Sequence, residues 1–123
     1  MDGEIDLELF TLAVLKLNSS LQKIENNDTA GVNDLIKDSN NDFKTLYDDV
    51  KNDISQKEIN YNEYDVFFEN IKLKFPGYLD TIGEYIETVK DEDINKSLSE
   101  LLNIFNEYIK TSEEYFESRG IYQ

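Results

Sequence analysis

The residues best equipped for chemistry in this chain are its carboxylates. Glu84 and Glu87, then Glu114 and Glu117, form two Glu-x-x-Glu pairs on stretches expected to be neighbouring helices. Hard divalent cations prefer oxygen ligands, and four carboxylates converging from two helices could hold magnesium for phosphate chemistry. The apolar periodicity around them argues otherwise: Glu84, Glu87 and Glu117 fall off the core-facing stripes, toward water. A calcium loop would need acidic or amide oxygens at positions such as Asp38, Asn40, Asp42 and Asp49. Phe43 then stands where the sharp turn requires glycine, Asp49 is shorter than the usual bidentate glutamate, and helical periodicity runs straight through.

Nucleophile chemistry has less to work with. The chain has no cysteine and no histidine, which excludes thiol catalysis, disulfides, thiolate or imidazole metal sites and a histidine general base. The five glycines are scattered and form no phosphate-binding fingerprint. No catalytic residue, cofactor or metal ligand is therefore expected, and the chain is not expected to be an enzyme.

Composition points to a folded acidic domain. With 123 residues the chain is expected to be one domain, residues 1–123, and 39% hydrophobic residues with eight tyrosines and seven phenylalanines supply a core. A formal charge of −15 disfavours direct nucleic-acid contact and anionic membranes, and makes a protein with a basic surface the natural partner. The acidic N-terminus is unlike a secretory signal and no apolar run is long enough for a membrane span, so a cytoplasmic protein is expected.

Four helical stretches account for the apolar pattern. The most clearly marked runs from Asp91 to Ser118, where Ile94, Leu98, Leu101, Phe105, Tyr108 and Tyr115 recur at steps of three and four. Acidic residues mark its start and Gly120 its end. A first helix is expected from just after Asp2 to about Glu25, with Leu7, Phe10, Val14, Leu17, Leu21 and Ile24 inward. A second runs from about Thr29 or Ala30 to Ser55, with Val32, Ile36, Phe43, Leu46, Val50 and Ile54 inward. A third follows through Tyr61, Tyr64, Phe68, Ile71 and Phe75 and is expected to kink or break at Pro76-Gly77, because proline lacks an amide hydrogen and crowds the preceding turn. The expected architecture is an all-α, four-helix antiparallel bundle.

Two surface features remain. Ile5, Leu9 and Leu12 point away from the first helix's main stripe, and Ile59, Val66 and Leu73 repeat every seven residues behind the aromatic face of the third. These six form the expected apolar contact surface for a partner or a second copy. Asp34, Asp38, Asp42, Asp49 and Asp53 form an acidic row along the second helix, with neighbours four apart separated by about 6 Å along the axis. Charge and spare apolar surface together suggest a stoichiometric inhibitor of immunity or antitoxin type, covering a basic toxin or nuclease. The acidic row alone would suit a DNA mimic that blocks a DNA-handling enzyme. A structural or secretion-associated helical protein is a third reading, weakened by the absence of the Trp-x-Gly turn of small secreted helical hairpins. The eight tyrosines leave Tyr61 and Tyr122 as the most accessible aromatics.

Overall fold

A computed structural model describes residues 4–57 and 59–120. Among them are four helices and no strand: α1 (Leu7–Glu25), α2 (Val32–Gln56), α3 (Tyr61–Thr88) and α4 (Glu92–Ser118). This is an all-α bundle. Asp2, expected to cap the first helix, and Tyr122 lie outside the described residues.

The helix ends follow local chemistry. Helix α1 starts five residues beyond Asp2 because Asp6, not Asp2, accepts the Leu9 amide hydrogen. Helix α2 begins after Gly31, whose φ of +71° is readily available only to a residue without Cβ. Asn60 caps α3 by accepting from Glu63, and Asp91 caps α4 by accepting from both Asp93 and Ile94. Gly120, at φ +76°, follows Arg119 and ends α4 in the left-handed conformation expected there.

Helix α3 passes through Pro76 and Gly77 without interruption, so the expected break is absent. Packing holds it together across the proline. Phe75, on one side, is buried and stacks on Phe105 at 4.1 Å between ring centroids; Tyr78, on the other, meets both rings edge-on. Pro76 itself is exposed, where water can serve the carbonyl deprived of its amide partner.

Around the core the helices follow the order α1, α2, α4, α3. Helix α2 packs on α1 and α4, and α3 packs on α4. Helices α1 and α3 close the ring through longer side chains: Phe10 meets Phe67, and the Tyr78 hydroxyl donates to Asn18. The centre is aromatic: Phe43 and Phe75 meet each other, and each meets Phe105 and Tyr108, so that three helices contribute rings. Edge-to-face geometry dominates, as the ring quadrupole favours. The buried Tyr108 hydroxyl donates to the Phe43 carbonyl at 2.6 Å.

The α2–α4 seam is polar. Asn40, 1% exposed, donates to the Ser97 carbonyl, Ser97 donates to Asn33, and the Asn40 Oδ1 has no hydrogen-bond partner. A buried polar seam of this kind restricts how two helices can slide, because any shift strands more groups without partners.

Candidate protein-interaction surface

The helices distribute the exposed apolar residues unevenly. Among the described residues the exposed large hydrophobics are Leu7, Leu12 and Leu15 on α1 and Tyr61, Val66 and Leu73 on α3; α2 and α4 contribute none. Val66 and Leu73 are 63% and 70% exposed, high values for branched aliphatic side chains. All six are thus carried by one pair of adjacent helices.

The six residues expected on the apolar contact surface divide. Leu12, Val66 and Leu73 are exposed, while Leu9 and Ile59 are partly buried against the core. Ile5 is a correction: it is only 6% exposed. It precedes the first helical turn, so helical angles do not govern it, and its amide donates to Glu63 Oε1 at 2.9 Å, which folds the segment onto α3. Leu7 is the converse case, expected inward but 52% exposed at the first turn of α1. Leu15, 56% exposed, belongs to the same pair of helices and is not singled out by the sequence, although helical geometry places it beside Leu12.

The acidic row is divided as well. Asp42 forms an ion pair with Lys16 of α1 at 2.8 Å, which raises the lysine pKa through the hydrogen bond. Asp53 accepts the Tyr64 hydroxyl, and burial followed by that bond pushes the Tyr64 pKa well up. Asp34, Asp38 and Asp49 are exposed. Two of the five carboxylates thus tie helices together and three face water.

A cluster around Asp65, not anticipated from sequence, joins the start of α3 to the end of α4. The Arg119 guanidinium donates to both oxygens of Asp65, at 3.2 and 2.9 Å, and lies 4.4 Å from the Tyr61 ring centre. The Tyr115 hydroxyl donates to the same carboxylate at 2.6 Å. Arg119, and then Tyr115, hold the Asp65 pKa below the usual carboxylate range. Tyr61 is 47% exposed, in keeping with the expectation for it, and one side of its ring serves this cation. Only the Tyr115–Arg119 spacing hints at the cluster; Asp65 lies 54 residues away from Arg119 in sequence.

Glu84, Glu87, Glu114 and Glu117 are exposed. No group of three or more acidic side chains able to hold a metal occurs among the described residues. The stretch resembling a calcium loop lies inside α2, with Asn40 buried. A cleft of about 620 Å³ at one end of the bundle is lined by Ile24, Tyr85 and Val89 together with Glu25, Lys90 and Asp91. No helix is long and apolar enough to cross a membrane among the described residues. The chain matches no protein-family model, no curated protein and no solved structure.

Proposed function

We propose that this chain is a small acidic protein-binding module that acts by stoichiometric contact, of the inhibitor type directed at a basic toxin or nuclease, and not by catalysis. The observation that carries the reading is the segregation of the exposed large hydrophobics onto α1 and α3. Scattered exposed leucines need no explanation, but a one-sided set on neighbouring helices favours a contact surface. The charge of −15 favours a basic partner and accelerates encounter with it.

The scaffold in this reading is an antiparallel bundle in which each helix reverses the one before. Contacts that support the reversal are Phe10 with Phe43 and Lys23 with the Ala30 carbonyl, then Phe75 with Phe105 and Asp65 with Arg119. A bend at Pro76, within the unbroken α3, belongs to the same proposal. The DNA-mimic alternative has less support, since Asp42 and Asp53 are engaged inside the bundle.

The test is capture from a lysate of the source organism with three baits: wild type, Val66→Asp, and Asp34→Asn/Asp38→Asn/Asp49→Asn. A basic protein retained by wild type, lost with Val66→Asp and held more weakly with the neutralised row supports the reading. Retention unaffected by Val66→Asp but abolished by the neutralised row would shift the reading to phosphate mimicry.

A further inference from the structure

Helices α1 and α3 end beside one another, and the cleft of about 620 Å³ lies between their ends: Glu25, the last residue of α1, and Thr88, the last of α3, both line it. The carboxyl end of a helix carries the equivalent of about half a negative charge, because its last carbonyls lack amide partners, so the two ends together attract a cation. Neither helix offsets its own end. Helix α3 has no basic residue in its last turn, and Lys23, in the last turn of α1, is turned onto the following loop, 3.4 Å from Asp28 and 3.5 Å from the Ala30 carbonyl. Loop amides and the Asn95 side chain serve the carbonyls of Lys23, Ile24, Tyr85 and Ile86, whereas those of Glu25 and Thr88 accept no hydrogen bond among the described residues.

The walls select the kind of cation. Ile24 and Val89 offer hydrocarbon and Tyr85 an aromatic ring, groups that favour an organic ammonium and give nothing to a hard metal ion, which needs several oxygen ligands. The Tyr85 hydroxyl lies in the field of two carboxylates, and burial, followed by Glu25 and Glu84, pushes its pKa up. Asp91 also lines the cleft, but its Oδ1 accepts the Asp93 and Ile94 amides, so its charge serves the start of α4. Lys90 is the opposing charge: it is the one basic residue on the lining, exposed and in no ion pair among the described residues. The volume falls within the range of about 300–1,000 Å³ usual for small-molecule sites.

We propose that this cleft binds a small organic amine in its protonated form, its hydrocarbon or aryl body against Ile24, Val89 and the Tyr85 ring and its ammonium toward Glu25 and the carbonyl ends of α1 and α3. The apolar lining supplies contact area, and the aromatic face adds attraction for the charge. Lys90 competes with the bound ammonium for the same negative field, so its removal tightens binding. An anion would show the reverse dependence, since Lys90 would then be its partner. The site shares no residue with the exposed hydrophobics of α1 and α3 and does not depend on the protein-binding reading.

The test is isothermal titration calorimetry with phenethylamine, set against phenethyl alcohol, which lacks the charge, methylammonium, which lacks the body, and hydrocinnamate, which reverses the charge. The amine is expected to bind saturably, one per chain, about ten-fold more tightly than the alcohol or methylammonium, and hydrocinnamate not at all. Glu25→Gln should weaken the amine several-fold and Lys90→Gln should strengthen it several-fold. Glu117→Gln, at the far end of α4, should leave it unchanged, and circular dichroism verifies the helix content of each variant. Absence of saturable amine binding overturns the inference. An equal loss with Glu25→Gln and Glu117→Gln overturns it too, since the effect would then be the attraction of any cation to a chain of charge −15. Hydrocinnamate binding that Lys90→Gln abolishes would make this an anion site and overturns it as well.

Discussion

Replacing Pro76 by alanine tests how α3 is built. The helix runs from Tyr61 to Thr88 with the proline inside it, exposed, between the buried Phe75 and the half-buried Tyr78. A proline in a helix interior costs about 3 kcal/mol relative to alanine, since an amide donor is missing and the ring crowds the preceding turn. Alanine restores the donor to the Lys72 carbonyl and sacrifices no buried contact. It also loosens the unfolded chain, which takes back about 0.4–1 kcal/mol. The net stabilisation is about 2 kcal/mol. For 123 residues, with an unfolding entropy of about 2.1 cal/mol/K per residue, this raises the melting temperature by about 8 °C. Urea denaturation followed by far-ultraviolet circular dichroism should show a higher midpoint with an unchanged slope. A midpoint equal to or below that of wild type would refute the reasoning. It would mean that the chain leaves helical geometry at this point and that the proline stabilises the departure.

Three further outcomes follow from the interior and from the clamp at the end of α4. Tyr108→Phe keeps the ring contacts but removes the hydroxyl that donates to Phe43, and should lower stability by about 1 kcal/mol in urea titration. Asp65 has a folded pKa below its unfolded value, so its stabilisation is present above the unfolded carboxylate range, near pH ~4, and fades as the pH falls through the folded value. Asp65→Asn should therefore unfold earlier than wild type at neutral pH, and the two should converge as the solution is acidified. Asn40→Asp puts a carboxylate at a site that is 1% exposed, where the amide it replaces donates to a backbone carbonyl that a carboxylate cannot serve. That variant should be destabilised at neutral pH and regain stability as acid protonates the new group, a slope opposite to that at Asp65 and measurable by melting at about pH 5 and about pH 8.

Periodicity in the sequence locates all four helices, because a wide apolar stripe at steps of three and four has few other solutions. It places Phe43, Phe68, Phe75, Phe105 and Tyr108 inside, where they are. It fails at the edges of that logic. Ile5 takes an angle from a helix that it precedes, and Leu7, on the first turn, has no neighbouring helix covering it. At Pro76 the helix is not broken, and ring contacts lie on both sides of the proline, a tertiary feature invisible to neighbours in sequence. The Asp65–Arg119 clamp is hidden for the same reason, as nothing local distinguishes Asp65 from the other acids. The acidic row is legible as a row, but only the packing of α1 and α3 shows that Asp42 and Asp53 are engaged.

The two layers of the bundle are fastened differently, and this bears on where a second chain can join. Between α2 and α4 the backbones are close, and polar groups cross the seam: Asn40 to Ser97, Lys44 to Glu100 at 2.7 Å, and Tyr47 with Thr111 at 2.9 Å. Sliding α2 along α4 would break several bonds at once. Between α1 and α3 the backbones stay apart, and the connection is made by Phe10, Phe67 and the Tyr78–Asn18 bond. That layer also carries Leu12, Leu15, Val66 and Leu73 on its outside. Each apolar side chain of that size removed from water contributes about 1.5–3 kcal/mol, against the loss of translational and rotational freedom on association. A chain docking there would gain apolar burial and brace the less tightly fastened layer. Hydrogen exchange should therefore slow in α1 and α3 when the captured partner is added, while α2 and α4 stay unchanged. Uniform slowing across all four helices would place the contact elsewhere.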